Sequence, residues 1–146
     1  MIKKISADIT AALRQGEKDR LKVLRSLKSV LKNREIDLKQ ELSEEESMKV
    51  LNGEIKKREQ AIELYLQGGR PELAENDQAE IEIIRQYLPE PLTESEMQQE
   101  VTKAIAETGA TSMKDMGPVM KLLKERLGGR ADGKTLSSLV RAVLSN

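Results

Sequence analysis

The sequence predicts an all-α protein, with an N-terminal helical domain containing a long antiparallel helical hairpin, followed by a small three-helix domain. Three observations carry this expectation. Apolar residues recur at helical spacing along most of the chain, and no stretch alternates as a strand would. Two tyrosines are the only aromatic residues, so the core must come from Leu, Ile, Val, Met and Ala, a mixture that favours helices. Ser, Thr, Asp, Gly and Pro fall where helices need to begin or stop.

Taken in order, Ile2, Ile5, Ile9 and Ala12/Leu13 make the buried stripe of a first helix over about 2–15, with Gly16 as its left-handed stop. A second helix starts at 17 or 19, with Asp19 as candidate cap, and runs to about 40. Leu24, Leu27, Leu31 and Leu38 form its stripe, and Lys22, Arg25, Lys28, Lys32 and Arg34 lie outside. Ser43-Glu44-Glu45-Glu46 has capping-box spacing and opens a third helix. Its stripe of Met48, Leu51, Ile55, Ile62 and Tyr65/Leu66 ends at Gly68-Gly69, and Gly53 is an interior weak point. Helices two and three are expected to form the long hairpin.

Pro71 suits the first turn of a fourth helix, whose apolar face is Leu73, Ile81, Ile84 and Leu88. Pro89 and Pro91 bracket a rigid connection and mark the expected boundary between a domain of residues 1–90 and one of residues 91–146. Thr93-Glu94-Ser95-Glu96 is a second capping box, and Met97, Val101 and Ala104/Ile105 carry a fifth helix to Gly109. A sixth begins near Ser112 or Asp115. Pro118 lacks an amide proton and belongs in a first turn, which favours Asp115; Val119, Leu122/Leu123 and Leu127 then pack before Gly128-Gly129. Asp132-Gly133-Lys134 opens a seventh helix carrying Leu136, Leu139/Val140 and Val143/Leu144.

The absence of cysteine and histidine removes disulfides, thiol nucleophiles, imidazole bases and the commonest metal ligand. No cofactor and no catalytic residue are predicted. No run approaches the roughly 18 apolar residues of a membrane span, so no membrane partner is expected and the chain reads as cytoplasmic. Net charge is zero, yet residues 1–40 carry 11 basic and 5 acidic groups, residues 41–100 carry 6 and 16, and residues 101–146 carry 8 and 4. Two readings follow: basic helices lie against acidic ones inside the fold, or one or both basic segments meet phosphate. The lack of aromatic stacking platforms disfavours sequence-specific reading of single strands.

Gly128-Gly129-Arg130-Ala131-Asp132-Gly133-Lys134 is the most unusual string, a glycine-rich cationic turn leading into a helix N-terminus. Its amides can hold a phosphate, or Gly128-Gly129 ends one helix while Asp132 caps the next. It is not a nucleotide-binding P-loop, because the glycine order is wrong and no strand precedes it. The acidic groups Glu44-Glu45-Glu46 and Glu72/Glu75/Asp77 sit at helix starts, where the helix dipole accounts for them. Met113, Met116 and Met120 around Gly117-Pro118 suit either core packing or an adaptable surface.

At Tyr87-Leu88-Pro89-Glu90-Pro91-Leu92-Thr93-Glu94-Ser95-Glu96, at Asp115-Met116-Gly117-Pro118-Val119-Met120 and at Gly129-Arg130-Ala131-Asp132-Gly133-Lys134, the chain resembles the YqeY family. The likeness extends to Arg25-Ser26-Leu27-Lys28-Ser29 and Glu54-Ile55-Lys56-Lys57-Arg58, and Pro118 replaces a polar or basic residue of that family. The resemblance implies a helical domain followed by a smaller one similar to the GatB tail of the glutamine-dependent aminoacyl-tRNA amidotransferase, a tRNA-binding part of that enzyme. A label of carbon-nitrogen ligase with glutamine as amido-N-donor would be inherited from that tail, since no residue here supplies the chemistry. By the same resemblance, tRNA contact falls on Lys114, Lys121, Arg126, Arg130, Lys134 and Arg141.

The expected function is a non-catalytic tRNA-binding adaptor, with no DNA partner. The rival readings are a protein-interaction module that docks its helical hairpin on an amidotransferase or an aminoacyl-tRNA synthetase, and an enzyme in its own right.

Overall fold

The computed structural model describes residues 1–145, and among them the chain is helical with no strand. The seven α-helices are α1 (Ile2–Gln15), α2 (Lys18–Leu38), α3 (Glu44–Gln67), α4 (Pro71–Arg85), α5 (Glu94–Thr108), α6 (Met116–Leu127) and α7 (Gly133–Leu144). Short 3-10 turns at Met113–Asp115 and Gly128–Arg130 precede α6 and α7. Backbone contacts divide the chain into two compact units, Met1–Pro89 and Glu90–Asn146, each with its own core.

Local chemistry explains the boundaries. The Glu46 amide donates to Ser43 Oγ at 3.1 Å and the Glu96 amide to Thr93 Oγ1 at 3.2 Å, so each hydroxyl satisfies an amide that lacks a helical acceptor. Gly16 (φ 72°) and Gly109 (φ 70°) close α1 and α5 in the left-handed region, where a side chain is strained. Helix α2 begins after Glu17 rather than at Asp19, which lies in its first turn and faces the helix dipole. Its last carbonyls bond to the amides of Lys39 and Gln40, with Lys39 at φ 56°. Pro118 is the third residue of α6, where its missing amide proton costs nothing.

The pairing of helices differs from the expected α2–α3 hairpin. The extensive contacts are α1 on α2 and α3 on α4, while α2 meets α3 over a short stretch. The connections differ in length. Gly16-Glu17 and Gly68–Arg70 reverse the chain tightly, whereas the segment between Leu38 and Glu44 is longer and looser. Arg58 and Glu80, equidistant from Gly69, meet across α3 and α4, as an antiparallel pair about that turn requires.

The first core gathers Ile5, Val23, Leu24, Leu27, Leu31, Leu51, Ile55, Ile81, Ile84 and Tyr87. Near the end of α3, Ile62 packs against this core as expected, but Leu64 is 68 % and Leu66 58 % exposed, against the expectation that Leu66 is buried. A charged group takes a place inside instead. Glu54, 8 % exposed, accepts from Arg58 Nη1 at 3.1 Å, and Arg58 Nε lies 3.4 Å from the Glu80 carboxylate without an aligned hydrogen bond. The second core is Met97, Val101, Ala104, Val119, Leu123, Leu127, Leu136, Val140 and Leu144 from α5, α6 and α7. Val143 lies 40 % exposed beside it. Met113 is exposed in the first 3-10 turn, while Met116 and Met120 pack against the core.

Candidate nucleic-acid interface

The second unit carries eight basic and eight acidic residues, so it is neutral as a whole. The positive balance of residues 101–146 is offset by Glu90, Glu94, Glu96 and Glu100, which fold into the same unit. Any affinity for phosphate must therefore come from where the cations sit.

All six candidate residues are exposed, but they occupy different segments and serve different ends. Arg126 turns toward α5 and donates to the Glu107 carboxylate, a contact that holds Glu107 below and Arg126 above their ordinary pKa values. Arg130 is tied down within the unit: its Nε donates to the Glu90 carbonyl at 3.3 Å, and its own carbonyl accepts the Leu92 amide at 2.8 Å. The glycine-rich turn thus closes against the segment leading into α5. Asp132 completes it, accepting the Thr135 amide at 3.3 Å and the Thr135 hydroxyl at 3.0 Å. Its carboxylate caps the start of α7, so the capping reading of this string holds for the Thr135 amide.

The remaining four, Lys114, Lys121, Lys134 and Arg141, make no ion pair among the described residues. Lys134 and Arg141 are seven residues apart on α7, about two turns, and share one exposed face, turned roughly 110° from the mean direction of the buried Leu136, Val140 and Leu144. Lys121 lies with Lys124 on the face of α6 away from Val119, Leu123 and Leu127. Arg126 is turned roughly 140° from Lys121 around the same helix. Lys114 stands in the 3-10 turn before α6, next to Asp115, whose pKa is lowered by the Thr111 and Ser112 amides donating to its carboxylate at 2.9 and 3.2 Å.

The sequence did not single out two polar contacts in the first unit. Tyr87, just past α4, donates its hydroxyl to the Asp8 carboxylate on α1, and Arg20 Nη1 donates to Gln86 Oε1 at 2.9 Å. Burial, then the hydrogen bond to Asp8, pushes the Tyr87 phenol above its ordinary pKa. Among the described residues no group of three or more acidic side chains is arranged to hold a metal ion, and no helix is long and apolar enough to cross a membrane.

A protein of Schizosaccharomyces pombe described as uncharacterized is 46 % identical over 43 residues, covering 30 % of this chain and 35 % of that protein. The chain therefore matches about a third of that relative's length. The model of the family described as Yqey-like protein matches residues 2–144, nearly the whole chain. Together with the two-unit helical fold and the strings at Tyr87–Glu96 and Gly129–Lys134, this match places the chain in the YqeY family.

Proposed function

We propose that the protein is a non-catalytic adaptor that binds tRNA, with its second unit docking on the folded RNA by phosphate contacts. The observation that carries this reading is the outward face of α7. There Lys134 and Arg141 stand exposed two turns apart, without an ion pair among the described residues, while the apolar face is used in the core. Lys121 on α6 and Lys114 before it add exposed cations to the same unit. No aromatic side chain is present in the unit to stack bases, which suits recognition of shape and backbone. Arg126 and Arg130 act in this reading as supports of the unit. Family membership is compatible with a relation to the amidotransferase tail, and the cellular setting would be the cytoplasm.

The test is Lys121→Ala with Lys134→Ala and Arg141→Ala, titrated with total tRNA at several salt concentrations. The reading expects weaker binding and a log-log salt slope reduced by roughly two to three units, as for three lost phosphate contacts. An unchanged affinity and slope would remove the assignment.

A second reading, docking on an amidotransferase or a synthetase, has behind it Leu64 and Leu66, two apolar side chains exposed on different sides of α3 near its end. A defined partner recovered after nuclease treatment, and lost with Leu64→Ser and Leu66→Ser, would support it over RNA binding.

A further inference from the structure

The first unit is neutral, with seventeen basic and seventeen acidic residues, but its charges are sorted by helix pair. The basic pair α1–α2 packs on itself, as does the acidic pair α3–α4. Among the described residues one ion pair joins the two halves, between the Met1 amino group and Glu44 at 3.1 Å. The cations of α2 are therefore not neutralised by the acidic helices.

On α2 these cations are in line. Lys18, Lys22, Arg25 and Lys32 follow at spacings of four, three and seven residues, and Ser29 fills the register between the last two. At 100° per residue all five fall within an arc of about 80°, opposite the fully buried Leu24, Leu27 and Leu31. Lys28, half exposed, flanks the line. None of these cations makes an ion pair among the described residues, whereas Arg20, off the line, pairs with Glu17 at 3.6 Å. The helix's own acids lie aside: Asp19 and Asp37 stand about 100° from the centre of the line, and Glu35 accepts the Leu42 amide at 3.1 Å.

The result is a straight row of positive charge about 21 Å long, its first three members about one turn apart and Lys32 about two turns beyond Arg25. Three kinds of partner fit it poorly. A membrane needs the apolar face that α2 has already placed in the core. A protein interface centres on desolvated aromatic or apolar anchors, and between Lys18 and Lys32 the line has none; the exposed Ile36 stands alone beyond it. A single strand calls for stacking platforms. A regular polyanion remains, bound by counterion release along its backbone.

We infer that the outward face of α2 is a second RNA surface, which binds the phosphate backbone of double-helical RNA through Lys18, Lys22, Arg25 and Lys32. It takes its ligand class from the function proposed above but lies in the other unit, so either surface can fail alone.

The experiment measures anisotropy of a labelled 16-base-pair RNA duplex with the full chain, at several salt concentrations, for three proteins: the wild type, Lys22→Ala/Arg25→Ala/Lys32→Ala, and Lys134→Ala/Arg141→Ala. A Gln version of the triple variant, which keeps side-chain length, and the helical circular dichroism of each protein guard against misfolding. The α2 triple variants are expected to lose at least about tenfold in affinity at low salt, with a slope reduced by two to three units. The α7 variant is expected to retain the α2 contribution. A triple variant with unchanged affinity and slope overturns the α2 surface, even if the α7 variant loses binding and so supports the other one. Wild-type protein that ignores the duplex at low salt also overturns it, and an acidic protein surface would then be the partner to seek.

Discussion

The hydroxyl of Tyr87 donates to the carboxylate of Asp8 and so ties the segment after α4 to the middle of α1, two elements distant in sequence. Both burial and the nearby carboxylate favour the protonated phenol, so the folded state holds that proton more tightly than the unfolded chain does. The stability from this group is fully present below the unfolded tyrosine pKa of about 10. It is lost as the pH rises above that value. Tyr87→Phe should lower stability at neutral pH by about 2 kcal/mol, as for a hydrogen bond to a charged acceptor. It should also flatten the decline above pH 10, read by denaturant titration at successive pH values. An alkaline decline of the same size in the variant would show that the phenol is not its source.

Glu54 and Arg58 form the most enclosed ion pair of the first unit, with Glu80 completing the charge on the α4 side. Removing the Glu54 side chain leaves the enclosed Arg58 with its hydrogen bond to the carbonyl of residue 54 and one poorly aligned carboxylate, Glu80. Glu54→Ala is expected to cost about 3 kcal/mol by chemical denaturation. Lys49→Ala, which removes only exposed contacts to Glu45 and Glu46, should change stability by less than about 0.5 kcal/mol. Equal effects would mean that the enclosed pair has no special weight.

Two glycines should respond in opposite directions. Gly53 lies inside α3 with open space where a Cβ would stand, so Gly53→Ala should stabilise by about 0.5–1 kcal/mol. Gly16 also has open space, but at φ +72° a side chain is strained, and Gly16→Ala should cost about 1 kcal/mol. Thermal melts of the two variants check both signs.

The helix caps are independent of the cores and should act additively. Ser43→Ala and Thr93→Ala each remove a side-chain acceptor from one amide, at about 1 kcal/mol apiece. The two caps lie in different compact units, so separate unfolding transitions, if calorimetry resolves them, should each respond to one substitution. A single variant that shifted both transitions equally would contradict that independence.

These contrasts show what kind of information the sequence holds. Ser43, Thr93, Gly16 and Gly109 act on their immediate neighbours, so helix ends were legible from residue type and spacing. Which helix lies on which was not, because the hydrophobic stripes of α2, α3 and α4 are equally good partners for one another. The burial of Glu54 was also hidden, since periodicity assigns charged residues to solvent and does not register that Arg58, its partner one turn on, is itself enclosed beside Glu80 of α4. In the candidate interface, the six cations named from the family resemblance are all exposed. The sequence could not separate Arg126 and Arg130, held by Glu107 and the Glu90 carbonyl, from Lys134 and Arg141, which are free of such contacts among the described residues.

The central claim is that exposed cations of this neutral protein bind tRNA through its phosphates. A filter-binding titration of the full chain against total tRNA at about 50 and 200 mM salt, with duplex DNA as control, tests it most directly. Four phosphate contacts predict binding that weakens about a hundredfold between the two salt concentrations, and the adaptor reading adds that tRNA is preferred to the control. Absence of binding at the lower salt, or an affinity indifferent to salt, would contradict the claim and leave the cations of α2, α6 and α7 as a solvated surface.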